Sequence, residues 1–340
     1  MKLTINDIAK EAKVSKSTVS RVINNSGYVD QHTREKVEKI IEMHTYYPSA
    51  AARSLSKRES NTIGVIIPEA DNTFFGDVLK GISEVVDEMN MTLIFSDTSN
   101  DSEKEERALN MINMQEVKGL ILTPVNDRDD SEAERKLKQK LRDLGIPVVL
   151  LDRGVSNSQW DGVFFENYQS AYIATEILIK EGHEKIGIIT GDLKLKIGQD
   201  RYIGYLNAME DHGMNVSKKY IYEGNFSVEK AYELTKEFIE SGDLPDAVLT
   251  CNNRTTLGLM KALNEYNLTP GKHIAAIGID KNTVMDILGY NYSNVSRDAV
   301  EMGRVAMRRL LERFENPGRQ RAEYIMPFEI ELKGSEKKRS

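Results

Sequence analysis

Residues 4–25 of the sequence read TINDIAKEAKVSKSTVSRVINN. Thr4 is a suitable cap for a first helix, and apolar residues recur three and four positions apart on one side of it: Ile5, Ile8, Ala9 and Ala12. Ser15 caps a second helix after a short turn, with an inner face of Val19, Val22 and Ile23. The outer face of this second helix is polar and basic, with Lys16, Ser17, Ser20 and Arg21. This pattern predicts a helix-turn-helix that places its second helix in the major groove of DNA.

A third helix is predicted from Asp30 to His44, with Asp30 as its cap and an inner face of Val37, Ile40 and Ile41. Pro48 then interrupts the chain. The next residues, 49–55, read SAAARSL and give only about two turns of helix. Helices this short are marginal in water because nucleation costs more than so few hydrogen bonds return. We therefore expect this segment to be ordered only when something holds it.

The first part of the chain resembles the DNA-binding headpiece of the lactose-repressor/galactose-repressor family of bacterial transcription regulators. The resemblance rests on three motifs in the family's order: Ile5-x-Asp7-Ile8-Ala9, Val14-Ser15-x-Ser17-Thr18-Val19-Ser20-Arg21-Val22-Ile23-Asn24 and Thr33-Arg34-x-Lys36-Val37. It implies a helix-turn-helix DNA-binding domain at 1–48 and a hinge helix with its linker at 49–61. In the family the hinge helix pairs with that of a second copy and pushes a leucine between base steps of the minor groove, and Leu55 occupies that position here.

The residues expected to contact DNA lie on the second helix, at helix caps and in the hinge. They are Thr4, Ser15, Lys16, Ser17, Thr18, Ser20, Arg21, Asn24, Thr33, Ser49, Ala52, Arg53 and Leu55. Lys16 and Ser17, in the first turn, are the expected determinants of operator sequence. Two alternatives to DNA contact stay open. Arg21 can be a solvated charge on the helix surface, and Leu55 can pack in a small core of the hinge instead of inserting between base steps. The family resemblance implies a homodimer on a pseudo-palindromic operator, since a two-fold protein matches a two-fold site.

The charge of the chain is unevenly distributed. Residues 1–58 hold eleven Lys or Arg and six Asp or Glu, a net charge of +5, and the whole chain carries -7, which leaves -12 for residues 59–340. A basic first segment on an acidic body favours phosphate contact by that segment alone. With 340 residues and 40% hydrophobic content, two or three globular folding units are expected.

Targeting signals are absent from the sequence pattern. No apolar run approaches the roughly 20 residues that cross a bilayer, and the first residues lack the layout of a signal peptide. The single cysteine, Cys251, excludes an intrachain disulfide and a multi-cysteine metal site. We therefore expect a cytoplasmic protein without a membrane partner. Residues 333–340 contain no leucine heptads, so no tetramer is predicted.

From Thr62 onward, short β-branched runs alternate with amphipathic helices. The expected strands are 62–67, 92–96, 119–123, 147–151, 185–190, 247–250 and 274–279, and the expected helices lie near 75–90, 103–116, 131–144, 168–181, 198–212, 228–241 and 254–266. This alternation predicts two doubly wound parallel sheets, each covered by helices on both faces. The family resemblance implies a periplasmic-binding-protein-like α/β core, with an N-terminal lobe of 62–162 and 293–322 and a C-terminal lobe of 163–292 and 323–334.

Doubly wound sheets bind ligands at the carboxyl ends of their strands, and several polar residues follow predicted strands here. The family's motifs place an effector between the lobes, in contact with Asn72, Phe74, Phe75, Asp152, Arg153, Arg201, Phe226, Asn252, Asp280 and Arg297. The alternatives are that one of the two adjacent phenylalanines is core and that the charged residues form ion pairs. The sequence has no Gly-rich phosphate loop, no dinucleotide-binding turn and no His/Glu cluster with metal spacing, so neither a cofactor nor a metal is predicted.

Three positions depart from the family's pattern. The usual Asn-Asp is Asn252-Asn253, the usual Gln-Pro is Arg297-Asp298, and the hinge asparagine is Ser49. Arg297 gives the expected cleft three arginines against two aspartates. One unpaired guanidinium favours a carboxylate or phosphate on the ligand, through bidentate charge-assisted hydrogen bonds. Our hypothesis is an anionic sugar derivative, such as a sugar acid or a phosphosugar.

The sequence as a whole predicts a repressor whose affinity for operator DNA is controlled by a sugar-like effector, and which is not an enzyme. Two alternatives belong to other classes. A sugar-acting enzyme can use Asp152 and Asp280 as an acid and base pair, but the helix-turn-helix then needs its own explanation. A solute-binding protein for transport has the same core, but it requires an export signal where this chain has a basic headpiece.

Overall fold

The computed structural model describes residues 4–23, 25–44, 60–126 and 132–338. The chain divides into two compact units, Met1–Asn61 and Thr62–Ser340. Most of the predicted hinge segment lies outside the described residues. So do five of the predicted DNA contacts: Asn24, Ser49, Ala52, Arg53 and Leu55.

The described residues of the first unit form three helices, α1 (Ile5–Ala12), α2 (Lys16–Ile23) and α3 (Gln31–Met43). Ser15 and Asp30 cap α2 and α3 as predicted, whereas at the start of α1 the Asp7 side chain accepts the N–H of Thr4, the predicted cap. The Thr4 N–H donates to the Asp7 carboxylate at 2.9 Å, the Thr18 N–H to Ser15 Oγ at 3.1 Å and the Thr33 N–H to Asp30 Oδ1 at 3.0 Å. The predicted inner faces pack into one small core, formed by Ile8, Ala9, Ala12, Val19, Val22, Val37 and Ile40.

The second unit is built from alternating strands and helices. Its described helices are α4 (Thr73–Glu88), α5 (Ser102–Met114), α6 (Glu132–Asp143), α7 (Asn167–Lys180), α8 (Lys196–Asp211), α9 (Val228–Glu240), α10 (Asn253–Glu265), α11 (Thr283–Ile287) and α12 (Ala299–Glu315). Its described strands are β1 (Thr62–Ile67), β2 (Thr92–Asp97), β3 (Gly119–Leu122), β4 (Val148–Leu151), β5 (Asp161–Phe165), β6 (Ile186–Ile189), β7 (Ile221–Tyr222), β8 (Ala247–Thr250), β9 (Ala275–Ile279), β10 (Ser293–Arg297), β11 (Glu323–Met326) and β12 (Phe328–Glu331).

The strands form two six-stranded sheets, one in each lobe. The first has the order β11-β5-β4-β3-β1-β2 with every pair parallel, and the second has the order β12-β10-β9-β8-β6-β7 with only β12 antiparallel. Helices α4 and α12 cover one face of the first sheet, and α5 and α6 cover the other. Helices α7 and α8 cover one face of the second sheet, with α9 and α10 on the opposite face. Two doubly wound parallel lobes were predicted from the sequence, and this architecture is confirmed.

Helices α4 and α12 make a close backbone contact on the first lobe. A Cβ atom at Gly81 would collide with the Val300 carbonyl, and one at Gly303 would collide with the Val78 carbonyl. Only glycine lets the two helices approach to this distance. The pair holds the crossover helix α12, which follows β10, against the first lobe.

Three crossings connect the lobes, between β5 and α7, between β10 and α12, and between β11 and β12. They correct the predicted lobe boundaries, which ended segments at 162, 292 and 322. The structure assigns 62–165 and 299–326 to the first lobe, and 167–297 and 328–338 to the second. Each predicted boundary was early because β5 extends to Phe165 in the first lobe, β10 lies wholly in the second lobe and β11 lies wholly in the first. The first two crossings have no Gly or Pro to mark the change.

The last described residues close the second lobe. Ser335 is 1% exposed, and its Oγ donates to the Ala276 carbonyl at 2.6 Å and accepts from the Ser293 N–H at 2.7 Å. The Ala276 N–H donates to the Ser335 carbonyl at 2.8 Å, and the Glu336 carbonyl lies 2.8 Å from His183 Nε2. Among the described helices, none is both long and apolar enough to span a bilayer.

Candidate DNA-binding surface and effector site

The outer face of α2 presents the polar and basic side chains that the sequence predicted. Lys16, Ser17 and Arg21 are exposed. Of the other described candidates, Thr4 and Ser15 are also exposed, and Thr18, Ser20 and Thr33 are partly buried. The hydroxyl of Ser15 lies 2.7 Å from that of Ser17 and 2.8 Å from that of Thr18. These hydroxyls form a polar cluster at the start of α2, beside Lys16, and this arrangement suits contact with phosphates and base edges.

The second unit contains a cavity of about 260 Å³ between its two lobes. The first lobe contributes Glu69, Asn72, Phe74, Phe75, Asn100, Ser102, Val125, Asn126, Asp152 and Arg153, and the second contributes Asp192, Lys194, Leu195, Ile197, Arg201, Asn225, Phe226, Asn252, Asp280 and Arg297. All ten residues that the sequence nominated for effector contact therefore line one cavity. Phe74 and Phe75 both belong to the core of the first lobe as well, so each serves in packing and in the cavity wall.

Most of the nominated residues stand where a strand ends or a helix begins. Asn72 caps α4 by accepting the Phe74 N–H at 3.1 Å, and Asn252 caps α10 by accepting the Thr255 N–H at 2.8 Å. These caps fix the loops after β1 and β8 at the cavity rim. Phe226 follows β7, and its ring lies 5.5 Å from the Arg201 guanidinium carbon.

Asp152 and Asp280 occupy equivalent positions in the two lobes. Each follows a strand, with φ of 61° at Asp152 and 74° at Asp280, and each N–H donates to a neighbouring strand at 2.9 Å, to Val163 and Val295 respectively. Aspartate tolerates this left-handed backbone better than most residues. Both carboxylates are buried and line the cavity.

Arg297, the last residue of β10, joins these two carboxylates. Its Nε donates to Asp280 Oδ1 at 2.6 Å and its Nη1 to Asp152 Oδ1 at 3.3 Å. The guanidinium carbon also lies over two aromatic rings, 4.5 Å from the Phe74 centroid and 4.9 Å from the Phe165 centroid. Burial acts to lower the pKa of Arg297, but the two aspartates outweigh it and raise that pKa.

Arg153 and Arg201 have neutral partners instead. Arg201 is 1% exposed; its Nε and Nη2 donate to Asn167 Oδ1 at 2.9 and 2.7 Å, and its Nη1 donates to the Cys251 carbonyl. Burial, with the nearby Arg297 charge, lowers the pKa of Arg201 to about 10. Arg153 Nη1 donates to Asn100 Oδ1 at 2.8 Å, and its buried Nε has no hydrogen-bond partner within the described part of the chain. The three arginines predicted for the cleft all line the cavity. Asp152 and Asp280, however, both pair with Arg297 rather than with Arg153 or Arg201.

Ten further lining residues were missed by the sequence analysis. Several of them lie in loops that follow strands, such as Asn100 after β2, Asp192 after β6 and Asn225 after β7. The strand-end rule that found Asp152 and Asp280 could also have found Asn100 and Asp192, whereas the short strand β7 was not predicted. Behind the wall, buried Glu105 accepts the Val125 N–H at 2.7 Å, and burial raises the pKa of Glu105 to about 7. The described residues contain no group of three or more His, Cys, Asp or Glu that could hold a metal.

A second set of contacts joins the lobes at the rim of the cavity. Arg254 Nη1 lies 3.1 Å from Asp71 Oδ2 and 3.8 Å from Glu69 Oε2. Asn253 Nδ2 donates to Asn72 Oδ1 and to Thr73 Oγ1, both at 2.9 Å. We call these contacts the interlobe latch: they connect the loop after β1 with the start of α10.

Comparison with known proteins places both units in one family. Residues 4–49 match the model of bacterial regulatory proteins of the lacI family, and residues 63–318 match the periplasmic binding protein domain. The chain is 32% identical to the ribose operon repressor of Haemophilus influenzae over 92% of each sequence. It belongs to the lacI family of bacterial regulatory proteins.

Solved structures agree with the fold of this lacI-family protein. A lac repressor dimer bound to operator and the anti-inducer ONPF superposes with a TM-score of 0.86 over 99% of this chain and all of that chain, at 23% identity. A lacI-family regulator from Enterococcus faecium with bound ribose superposes with a TM-score of 0.72 over 81% of this chain and 98% of that chain, at 22% identity. The family membership makes the chain a DNA-binding transcriptional regulator, as the sequence motifs predicted.

Proposed function

We propose that this lacI-family protein is a cytoplasmic repressor that binds operator DNA as a homodimer and changes its operator affinity when a sugar-like effector occupies the interlobe cavity. The observation that carries the proposal is the cavity itself, which collects all ten nominated residues from both lobes. A ligand between two lobes can stabilise one lobe arrangement over another, and that differential affinity is what allosteric control requires.

The operator contact is proposed for the exposed face of α2. Lys16, Ser17 and Arg21 project from this helix, and a helix-turn-helix presents the first turns of its second helix to base edges. Thr4, Ser15, Thr18, Ser20 and Thr33 are assigned to the surrounding backbone contacts. Asn24, at the end of the helix-turn-helix motif, and the hinge residues Ser49, Ala52, Arg53 and Leu55 keep the roles that the sequence predicted, with Leu55 as a minor-groove wedge.

The effector is proposed to be a monosaccharide-sized polyol that carries an anionic group. The cavity volume of about 260 Å³ suits a molecule of this size, and Phe226 in the cavity wall offers an apolar face for a sugar ring. Of the arginines in the wall, Arg297 takes both Asp152 and Asp280, and buried Arg201 has only neutral hydrogen-bond partners. A buried arginine without a carboxylate partner favours an anionic ligand.

Catalysis is not part of the proposal. An acid and base pair at Asp152 and Asp280 needs one protonated carboxyl group and one free carboxylate. Both carboxylates instead accept hydrogen bonds from the same guanidinium, that of Arg297, so neither is free to act on a substrate.

Fluorescence anisotropy tests the proposal. The full chain is titrated against a duplex from its own upstream DNA and against a shuffled duplex, at one stated salt concentration, with and without matched neutral and acidic sugars. We expect tighter binding to the native duplex and an affinity that changes when an acidic sugar is present. Equal affinity for both duplexes under all conditions would refute the proposed repressor function.

A further inference from the structure

Arg297 already contacts the kinds of group that usually bind a neutral sugar, namely carboxylates and an aromatic ring. Its side chain is 4% exposed and pairs with Asp280 at 2.6 Å and Asp152 at 3.3 Å. It also covers the Phe74 ring, with the guanidinium carbon 4.5 Å from the ring centroid. Carboxylates accept hydrogen bonds from sugar hydroxyls, and an aromatic face packs against the C–H face of a sugar ring. In this cavity both kinds of group already have a partner.

A neutral polyol that enters this cavity has to displace Arg297 from at least one carboxylate. Its neutral hydroxyl donors then replace a cationic donor at that carboxylate, and Arg297 loses one of its two negative partners. Leaving one member of a buried ion pair without its partner is strongly unfavourable. The neighbouring Arg201 and Arg153 offer no compensating negative charge, because they carry the same sign.

An anionic ligand does not meet this obstacle. Its carboxylate or phosphate can accept a bidentate pair of hydrogen bonds from a guanidinium, so Arg297 keeps a negative partner while an aspartate becomes free for ligand hydroxyls. We propose that Arg297 is the specificity-determining residue of the cavity and selects an anionic sugar derivative over its neutral counterpart. This inference rests on the proposed effector function and names the residue that sets the effector's charge class.

The alternative role for Arg297 is a structural one, since β10 crosses to α12 directly after it. A purely structural residue would affect the affinity for neutral and acidic ligands alike when it is replaced. A specificity determinant changes the ratio of the two affinities. The ratio is therefore the quantity to measure.

The test is calorimetric titration of the full chain with two matched pairs, D-ribose against D-ribose 5-phosphate and D-glucose against D-glucuronate. The proteins are the wild type, Arg297→Gln and Arg297→Lys. We expect the wild type to prefer the acidic member of at least one pair. In Arg297→Gln the acid-to-neutral affinity ratio should fall by about tenfold or more, because the neutral sugar gains two free carboxylates and the anion loses a cation.

Arg297→Lys keeps the charge but loses the planar fork that holds both carboxylates. The acid-to-neutral affinity ratio of Arg297→Lys should lie between those of the wild type and Arg297→Gln. If thermal melting shows that Arg297→Gln does not fold, Arg297→Lys provides the test instead. An unchanged ratio in the folded variants overturns the role of Arg297 and leaves the repressor function standing if ligand still alters operator affinity. If the wild type binds neither acidic sugar more tightly than its neutral partner, the role of Arg297 is overturned. The repressor function is overturned separately, by equal affinity for the native and the shuffled duplex.

Discussion

At the scale of single residues, the two lobes present matching aspartates to one arginine. Asp152 and Asp280 each follow a strand with positive φ, and each is held by a backbone hydrogen bond to the adjacent strand. The backbone of each aspartate is thus fixed by its own sheet, and the Arg297 side chain holds the two carboxylates. A fixed backbone confines the change on ligand binding to side chains, which reduces the entropic cost of binding.

Glu105 should make stability depend on pH. Burial raises its pKa from 4.5 to about 7, so the stability it contributes is fully present below pH 4.5 and is lost as the pH rises through 7. A shift of this size corresponds to about 3 kcal/mol. In urea unfolding from pH 4 to 8, the wild type should lose that much stability relative to Glu105→Gln. Parallel pH curves for the two proteins would contradict the prediction.

Arg21 should contribute one phosphate or base contact to operator binding. Arg21→Ala removes an exposed positive charge from α2, so the slope of log affinity against log salt should decrease by about 1. Anisotropy titrations at several salt concentrations measure this slope. Lys39→Ala, which removes an exposed charge from α3, is the matched control and should have the smaller effect. Equal effects of the two substitutions would mean that α2 has no special role.

At the scale of elements, the sequence located seven strands that carry apolar runs, β1 to β4, β6, β8 and β9, and missed the other five described strands. Strands such as β1, β3 and β8 were located to within a residue, because their apolar runs are fully or almost fully buried. Strand β10 reads SNVSR, and β11 and β12 are largely exposed, so they lack that signal. The pairing of Arg297 with both aspartates could not be predicted, because it depends on where β10 crosses between lobes.

The interlobe latch should contribute to effector affinity in a salt-dependent way. Arg254→Met removes the pairing of Arg254 with Asp71 and Glu69, and partly exposed ion pairs are worth about 0.2–1 kcal/mol. We expect effector affinity to fall by about two- to fivefold at low salt and by less at 0.5 M salt, where such pairs are screened.

Calorimetry with the acidic sugar that binds best measures the latch effect. Lys261→Met is the control, since Lys261 lies on the same helix over the Tyr232 ring, at 4.0 Å from its centroid. Loss of affinity in Lys261→Met but not in Arg254→Met would exclude the latch.

At the scale of the whole molecule, DNA binding and effector binding are thermodynamically linked. The effector must change the operator affinity of the chain by the same factor by which operator DNA changes its effector affinity. The relation holds for either sign of control, whether the ligand induces or co-represses.

This reciprocity can be measured directly. The effector dissociation constant is determined for the free protein and for the protein saturated with its operator duplex, and the operator dissociation constant is determined with and without saturating effector. We expect the two ratios to agree within error. Two clearly different ratios would mean that the ligand also binds elsewhere, or that the oligomeric state changes during the titration.

The order of strands also determines which sheet edges are exposed while the chain is being synthesised. Strands β11 and β12, at 323–331, complete the two sheets by pairing with β5 and β10. A nascent chain that has emerged only as far as α12 therefore carries two open sheet edges with unsatisfied backbone groups. Such edges pair readily with foreign strands, so the interval between synthesis of α12 and release of residues 323–331 from the ribosome is when aggregation or chaperone capture is most favoured.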